Sequence, residues 1–472
     1  MAYTFSENRF RKNFNVKKEE KKRSPDSLQM SHHPDHAFKL FPYKTSGKSK
    51  SPIVVNMEEV VSGFFRQTLR LEANIIQADQ LCKAIIQDID IHDEDIAFFR
   101  DMIINIFFRE GNFTARNIGL YPYQTIVDNR SAERVAYFIV CIMKMDVHEQ
   151  KKILDVIRKH PYNVLEKLVV DHIESRKLKD EENEMPYYSI ITDVQEKFKK
   201  DFFFMIETGL SSLEDLSHLL ALYYFYYMAQ TCIVLDQFGQ GKRNDPVPLY
   251  FALDWEKVSK NRLCCVEGWA NLQANINHMF SHAITLEIIN QHEHHHLMLD
   301  YIDFKEMAEN DLKMDRKIAC EIKRAENLYC SCVGDYKNFD QIPYVEGGLQ
   351  TDRAIRHLFK CVEEQFLNTE RKRANQSYNQ KFLDFCKERW LKNRRKSGWV
   401  LNLTERDIIF LTKISIQHRE RIRLIDLFKE YEYRGIYLDR TSKELLQNFF
   451  TKLNLIDKKS DSGDAQYVKR IL

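Results

Sequence analysis

Apolar residues recur every three to four positions along most of the chain from about residue 56 onward. The stretch "EEVVSGFFRQTLRLEANIIQADQLCKAIIQDI" keeps this spacing for several turns, and "DEDIAFFRDMIINIFFRE" repeats it with acidic residues in its first turn. Both features are typical of α-helices. The same pattern predicts further helices near residues 131–145, 148–176, 192–208, 211–237, 266–290, 300–328, 350–368 and 376–394.

One predicted helix contains an uncharged stretch, "LSHLLALYYFYYMAQTCIVL" (216–235). Its length alone is sufficient for a membrane span. However, its four tyrosines cluster in the middle, whereas membrane tyrosines prefer the interfaces. We therefore expect a buried central helix of a large α-domain and no contact with a membrane.

Composition agrees with long helices that have few breaks. The 472 residues include only 14 glycines and 10 prolines, the residue types on which tight turns depend. Ten cysteines lack a repeating spacing, and no apolar signal sequence precedes them. This predicts reduced thiols in a cytoplasmic protein.

The net charge of +2 hides three regions of different charge. Residues 1–50 carry 12 Lys and Arg against 5 Asp and Glu, residues 51–370 carry 35 against 51, and residues 371–472 carry 24 against 13. An acidic body with two basic ends suggests that the ends meet nucleic acid or an acidic partner, or dock on the body itself.

Four regions follow from these patterns. Residues 1–54 are predicted to be a flexible basic N-terminal arm, because they are polar, interrupted by proline and without an apolar period. Residues 55–370 are predicted to form an acidic all-helical body, and residues 371–396 a basic helical connector. The last region comprises residues 397–472.

The last region has the pattern of a winged helix-turn-helix. Helices are predicted at 404–416, with Thr404 as N-cap, at 421–435, and from Thr441, which forms a capping box with Glu444. Two short strands are predicted to follow, on either side of the turn at 460–464. The predicted fold class is therefore mainly α, a large helical body followed by a C-terminal winged helix-turn-helix domain.

The third helix of this region carries amide and lysine side chains on the face opposite its apolar stripe, as major-groove recognition requires. Basic residues of the wing and the connector are suited to phosphate contacts. The candidate DNA-binding residues are Ser442, Lys443, Gln447, Asn448, Thr451 and Lys452 on the helix, Lys458, Lys459 and Lys469 on the wing, and Arg394, Arg395 and Lys396 before it. Alternatively, the winged helix contacts only protein.

A histidine-rich segment, "HEHHH" (292–296), matches the H-E-x-x-H pattern of zinc peptidases through His292, Glu293 and His296. His278 and His282 upstream have the same i, i+4 spacing. Against a catalytic zinc, both x positions are histidines rather than apolar residues, and Asn290 and Gln291 suggest a helix end. His278, His282, His292 and His296 are therefore weak metal-ligand candidates, and no metal or other cofactor is expected.

The ending "RGIYLDRTSKELLQNFFTKLNLIDKKSDSGDAQYVKRIL" and the segment "PLYFALDWEKVSKNR" (248–262) resemble the DptG family of DNA phosphorothioation-dependent restriction proteins. The resemblance implies a bacterial defence role. In such systems sulfur replaces a non-bridging phosphate oxygen in the host's own DNA. The resemblance implies that this protein and its companions DptF and DptH act together against DNA that lacks this modification, and that the companions carry out the nucleotide-driven and DNA-processing steps. The family implies no catalytic residue for this subunit.

The sequence thus favours a DNA-binding, complex-forming subunit of a restriction system that is not catalytic alone. Its expected partners are double-stranded DNA, DptF and DptH. A protein-interaction scaffold is the first alternative. A metal-dependent hydrolase that uses His292, Glu293 and His296 is the second, less favoured one.

Overall fold

The protein is described by a computed structural model that covers residues 3–17, 30–32, 35–44, 55–71, 76–127, 129–173, 185–294, 296–458 and 466–471. The fold is mainly α, as predicted. The chain divides into two compact units. Unit 1 comprises Met1–Ser49, Met185–Asp193 and Tyr226–Leu472, and unit 2 comprises Lys50–Glu184 and Val194–Phe225.

The secondary-structure elements follow one another in a helix-rich order. The helices are α1 (Glu7–Asn13), α2 (Met57–Thr68), α3 (Ala78–Asp88), α4 (Ile96–Phe107), α5 (Asn129–Met143), α6 (Val147–Arg158), α7 (Val164–His172), α8 (Val194–Thr208), α9 (Leu213–Asp236), α10 (Ala270–Ile276), α11 (Met279–Ile289), α12 (Tyr301–Glu309), α13 (Leu312–Cys332), α14 (Gln350–Leu367), α15 (Lys372–Arg389), α16 (Glu405–Ile416), α17 (Leu424–Tyr433) and α18 (Arg440–Lys452). The strands are β1 (Phe108–Arg109), β2 (Asn112–Phe113), β3 (Tyr250–Leu253), β4 (Leu391–Asn393), β5 (Trp399–Leu403), β6 (Arg421–Arg423), β7 (Tyr437–Leu438), β8 (Ile456–Lys458) and β9 (Gln466–Lys469).

Unit 2 is a helical assembly in which α2 and α5 pack closely. A Cβ atom added at Gly63 would lie 2.7 Å from the Cβ of Ala136, so glycine is what permits the two helices to approach. The buried Arg66 on α2 donates to the carbonyls of Pro122 and Gln124 and pairs with Glu133 at 2.7 Å. The pair gives the buried guanidinium the partners that its burial requires.

The N-terminal segment belongs to the core of unit 1. Phe10 and Phe14 are fully buried, and the Tyr3 hydroxyl donates to the Ile289 carbonyl at 2.8 Å. The buried Glu287 carboxylate accepts the backbone N–H groups of residues 36–38. The prediction of a flexible arm over residues 1–54 is therefore wrong for residues 3–17 and 35–44, because aromatic side chains anchor them.

Helix α9 is the one helix of the described residues that is long and apolar enough to cross a membrane, and 94% of its apolar window is buried within the protein. Its first residues, to Phe225, belong to unit 2 and the remainder to unit 1. Its N-cap is Ser212, whose hydroxyl accepts the Asp215 N–H at 3.0 Å. The predicted burial of this helix is thus observed.

A four-stranded sheet with the order β4-β5-β3-β7 crosses two predicted boundaries. The central strand β3 pairs in parallel with both β5 and β7, while β4 pairs antiparallel with β5. The region 55–370 is therefore not all-helical, because β3 lies in it. The connector 371–396 is not wholly helical, because β4 follows α15 within it, and the boundary at residue 397 separates strands of one sheet.

The C-terminal segment contains the order α16, β6, α17, β7, α18, β8, β9, and its three-stranded sheet has the order β6-β9-β8. Both neighbours pair antiparallel with β9. Ile422 and Val468 lie directly opposite each other and are buried, so this sheet has one apolar face toward the helices. Their neighbours along the strands, Arg421, Arg423, Tyr467 and Lys469, lie on the other face.

Several predicted helices are interrupted. The segment 148–176 divides into α6 and α7, 266–290 divides around residues 277 and 278, and 300–328 divides at residues 310 and 311. The starts of α6 and α7 are fixed by capping boxes at Asp146 and Asn163. Local capping thus ends helices that the apolar period alone would continue.

Candidate functional sites

The N-terminal part of α18 is held inside unit 1. Its N-cap is Asp439, not the predicted Thr441, and the Asp439 side chain accepts the Ser442 N–H. Ser442 is fully buried, and its hydroxyl donates to Glu256 at 3.0 Å. The prediction that Ser442 contacts DNA is therefore wrong, because its side chain points into the protein.

Arg262 connects this helix start to the segment after β3. Its guanidinium forms ion pairs with Glu256, at 3.1 Å, and with Asp439, at 2.9 Å. It also donates to the Ser442 hydroxyl at 2.8 Å. Burial alone would raise the pKa of Asp439, but the hydrogen bonds from Arg262 and the Ser442 backbone outweigh it and lower that pKa. Asp439 is thus a charged cap, which fixes the direction of α18.

The remaining helix residues differ in their exposure. Lys443 is half-buried, pairs with Glu432 at 2.8 Å and lies over the Phe428 ring. Gln447 is half-buried, whereas Asn448, Thr451 and Lys452 are exposed. The Thr451 hydroxyl donates to the Gln447 carbonyl at 2.9 Å. Asn448, Thr451 and Lys452 are therefore the predicted polar contacts that α18 exposes to solvent, and of these the Thr451 hydroxyl already donates within the helix.

The solvent face of the β6-β9-β8 sheet is cationic. Lys469 is exposed and pairs with Asp457 at 2.9 Å. Arg421 lies opposite Lys469, and Arg423 lies opposite Tyr467, whose hydroxyl accepts the Arg423 Nε–H at 3.3 Å. The predicted residue Lys459 and the side chain of the predicted residue Lys458 lie outside the described residues.

Arg421 and Arg423 were missed in the sequence because residues 421–435 have the period of one helix. In the structure residues 421–423 form a strand, and the helix begins at Leu424. The alternation of Arg421, Ile422 and Arg423 is the signal that a strand precedes the helix. Two arginines consequently join the predicted wing lysines on one surface.

The three connector residues have different roles. The Arg394 guanidinium donates to the backbone carbonyls of Leu253, Asp254 and Glu256, at 2.8 to 3.2 Å. It thereby supplies hydrogen-bond donors to the carbonyl groups at the end of β3 and just after it. Arg394 is half-buried, so its predicted contact with DNA would compete with these hydrogen bonds. Arg395 and Lys396 are exposed, as a phosphate contact requires.

The histidine-rich segment does not form a zinc-peptidase helix. Helix α11 ends at Ile289, and the Asn290 side chain bonds both the N–H and the carbonyl of Leu299, which closes a loop. His292 is buried in a β-bridge with Phe5, whereas His296 is exposed. The two histidines therefore do not share one helix face, and the hydrolase prediction built on them lacks its geometry.

His278 and His282, by contrast, meet a carboxylate from another helix. His278 precedes α11 and His282 lies one turn further, and both point to Asp236 at the end of α9. Nε2 of His282 lies 2.6 Å from Asp236 Oδ1, and Nδ1 of His278 lies 2.9 Å from Asp236 Oδ2. We call these three residues the open cluster.

Three further side chains surround the open cluster. Nε2 of His278 lies 3.2 Å from Glu363, Nδ1 of His282 lies 3.1 Å from the Tyr301 hydroxyl, and the Asn275 amide donates to Asp236 at 2.7 Å. Burial alone would raise the pKa of Asp236, but the hydrogen bonds from the two histidines lower it below its usual range. Asp236 is therefore ionised.

A second cluster lies between α13 and α14 and consists of Glu326, His357 and Cys361, all buried. Nδ1 of His357 lies 2.8 Å from Glu326, and Nε2 lies 3.2 Å from the Ile342 carbonyl. The Tyr344 ring stacks on the imidazole with a centroid distance of 3.6 Å. We call this the closed cluster.

Comparison with known proteins does not extend this description, since no protein-family model and no curated protein matches the chain. The resemblance to the DptG family therefore remains a prediction from two sequence segments. In the structure these segments are in contact, since β3 pairs with β7 and Arg262 bonds Asp439.

Proposed function

We propose that this protein is a DNA-binding, complex-forming subunit of a bacterial phosphorothioation-dependent restriction system, that it works in the cytoplasm, and that it is not catalytic alone. In this proposal its companions are DptF and DptH, which meet the acidic part of the chain. The identity of the system rests on the resemblance. The mode of DNA binding rests on the C-terminal geometry.

The observation that carries the DNA-binding proposal is the arrangement of residues 405–469. A helix, a strand, two helices and two strands follow one another, and the first strand pairs with the last in the order β6-β9-β8. This order supports the proposal because it resembles that of a winged helix-turn-helix, in which the third helix reads a groove and the hairpin contacts the DNA backbone. The short strand β7 between α17 and α18 is an addition to that order.

The solvent-exposed side chains suit a nucleic-acid backbone. Arg421, Arg423 and Lys469 lie on the solvent face of the wing sheet, and the Arg421 guanidinium lies over the Tyr467 ring at 4.9 Å. Clustered cations bind phosphates independently of sequence, and the strength of that binding falls with salt. Asn448 on α18 adds an amide of the type that bonds adenine edges.

The contacts of Ser442 and Lys443 within the protein restrict which part of α18 can meet DNA. Because Arg262 and Glu256 hold the helix start, we assign DNA contact to Asn448 and Lys452 in its second half, together with the wing. Arg395 and Lys396 are assigned to flanking phosphates, because both are exposed.

Fluorescence anisotropy of a labelled duplex, titrated with the full chain at several salt concentrations, tests the proposal. Arg423→Glu and Lys452→Glu are each expected to weaken binding by about 1 kcal/mol or more and to reduce the salt slope by about 1. Lys313→Glu, at an exposed position of the acidic region, is the matched charge-reversal control and is expected to bind as the unaltered protein does.

The titration separates the DNA-binding hypothesis from the hypothesis of a protein scaffold. If the unaltered protein does not bind DNA at low salt, the C-terminal segment is a docking unit for protein, and the scaffold hypothesis replaces the DNA-binding one. If it binds, the same titration with a phosphorothioate-containing duplex shows whether this subunit distinguishes marked from unmarked DNA. Equal loss in all three variants would contradict a specific face and leave only diffuse charge attraction.

A further inference from the structure

We propose that Asp236, His278 and His282 form a binding site for a divalent transition-metal ion, with at least one coordination position open to solvent. This inference is independent of the DNA-binding proposal. Two imidazoles and one carboxylate are a ligand set used by zinc and by ferrous iron in proteins.

The distances between the donor atoms fit a shared ion. Zinc lies about 2.0–2.2 Å from nitrogen and carboxylate ligands, so ligand atoms around one ion are roughly 3 Å apart. Asp236 Oδ1 is 2.6 Å from His282 Nε2, and the His278 Nδ1 to Asp236 distances are 2.9 and 3.0 Å. The donor atoms of all three residues lie within 4.8 Å of one another. The i, i+4 spacing puts both imidazoles on one side of the chain at α11.

The other polar atoms of the three residues are bonded in the way that metal ligands require. A histidine ligand usually donates its second N–H to a carboxylate, carbonyl or hydroxyl, which fixes the ring orientation. Here His278 has Glu363 at 3.2 Å for that role, and His282 has the Tyr301 hydroxyl at 3.1 Å. Asn275 occupies Asp236 Oδ2 at 2.7 Å, which leaves Oδ1 directed between the histidines.

The surroundings separate a closed side from an open side. His282 is fully buried, and its ring stacks on Phe359 with a centroid distance of 4.5 Å. His278 keeps 34% of its side chain exposed, and Asp236 keeps 16%. A site with three protein ligands and a solvent side is the arrangement that reactive metal centres use, whereas structural zinc sites are closed by four ligands.

The turn after α9 holds Asp236 in this position. Gly239 has φ +86°, and a Cβ atom there would lie 2.6 Å from the Tyr301 carbonyl oxygen. Only glycine permits the turn to pack this closely on the start of α12. The carboxylate and the Tyr301 hydroxyl are thereby brought to the same side of α11.

The test is a Zn²⁺ titration by isothermal calorimetry of the full chain, after removal of metals with a chelator, together with metal analysis of protein purified without chelator. We expect a metal-to-protein ratio of about one. Asp236→Asn removes the charge of the carboxylate ligand, and His278→Gln removes one imidazole ligand. Each substitution is expected to weaken zinc binding by about 100-fold or more, which is at or beyond the upper end of the roughly 10–100-fold loss for changes to outer-shell partners. Glu363→Gln alters only the partner of His278 and is expected to lose about 10–100-fold.

The matched control is the double variant His294→Ala/His296→Ala, which removes two histidines of the "HEHHH" segment. If it binds zinc as the unaltered protein does, that segment is not the site. If it alone abolishes binding, or if the unaltered protein binds no zinc, the proposal is wrong and the open cluster is an ion-pair network only. Should Asp236→Asn fail to fold, Glu363→Gln and the unaltered protein still decide between these outcomes.

Discussion

Two histidine clusters flank the same helix, α14, and they use their histidines differently. The closed cluster takes His357 and Cys361 from α14, and Glu363 of the same helix borders the open cluster through His278. In the closed cluster one imidazole lies between a carboxylate and a backbone carbonyl under a tyrosine ring. In the open cluster two imidazoles point to one carboxylate and one of them reaches solvent. Solvent access and the number of imidazoles, rather than residue type, therefore separate a buried ion pair from a candidate ligand site.

The pKa of His357 argues against a metal ion in the closed cluster. Burial opposes protonation of His357, but its hydrogen bonds with Cys361 and Glu326 outweigh burial and raise its pKa to about 10. A hydrogen bond with Cys330, together with burial, raises the pKa of the Cys361 thiol. An imidazolium offers no lone pair to a metal and a thiol is a poor ligand, so the cluster is an internal ion pair.

The largest loss of stability is expected when the ion pair between His357 and Glu326 is broken. His357→Ala leaves the Glu326 carboxylate buried without its cation and is expected to lower the free energy of unfolding of unit 1 by about 3–5 kcal/mol. All four tryptophans lie in unit 1, so urea unfolding followed by tryptophan fluorescence measures it. His294→Ala, at an exposed histidine of unit 1, is the control. A loss below about 1 kcal/mol would contradict a buried ion pair.

The pH dependence of stability is expected to show the same pair. Because the pKa of His357 is raised to about 10 in the folded state, its contribution is complete below the unfolded value of about 6.5 and is lost as pH rises toward 10. The difference in unfolding free energy between the unaltered protein and His357→Gln should shrink by up to about 1.4 kcal/mol per pH unit in that window. A difference that stays constant between about pH 6.5 and 9.5 would be evidence against this.

Opening the closed cluster is expected to have a smaller effect. Tyr344→Ala removes the ring stacked on His357 and the hydroxyl that donates to Glu326 at 3.3 Å, with an expected loss of about 1–2 kcal/mol. Tyr344→Phe keeps the ring and should lose less than half of that. Urea unfolding of both variants measures the two contributions, and equal losses would assign the whole effect to the hydroxyl.

The smallest loss of stability is expected from a substitution beside the open cluster, measured in metal-free protein. Glu363→Gln leaves His278 paired with Asp236 and partly exposed, so the expected loss of stability is below about 1 kcal/mol. Glu326→Gln in the closed cluster is the matched comparison and should cost several times more. Both glutamates are buried, so equal losses would show that the greater exposure of His278 does not distinguish the two clusters.

Much of the helical fold could be predicted because helices are local. The apolar period identified the helical segments, and Thr404 was confirmed as the N-cap of α16. The start of α18 was placed two residues late, because Asp439 and Thr441 are both good caps and tertiary contact with Arg262 selects Asp439. Ser442 lies one turn before the buried Leu446, so the period already indicated that it faces inward.

The sheet and the N-terminal segment could not be predicted in this way. Parallel pairing of β3 with β5 and β7 joins residues far apart in sequence, and no local pattern encodes such a register. The N-terminal residues lack an apolar period, yet Phe10 and Phe14 are fully buried, and the Tyr3 hydroxyl donates to the carbonyl of the distant Ile289. Their burial depends on the rest of unit 1 being folded.

The open cluster was visible in part. The spacing of His278 and His282 identified both as ligand candidates, as it did for His292 and His296, and sequence alone did not distinguish the two pairs. The structure separates them because Asp236 comes from another helix to meet the first pair, whereas a loop carries the second. The third candidate ligand can therefore be identified only from the tertiary structure, because it is distant from the histidines in sequence.

The position of β3 also has a consequence for synthesis of the protein at the ribosome. Its two neighbours, β5 (Trp399–Leu403) and β7 (Tyr437–Leu438), come much later in the chain, so β3 is synthesised well before either of its edges can pair. Unpaired edges promote aggregation. If translation stops after β3 but before β7, the released polypeptide keeps at least one unpaired edge of β3, and we expect cellular proteases to remove it.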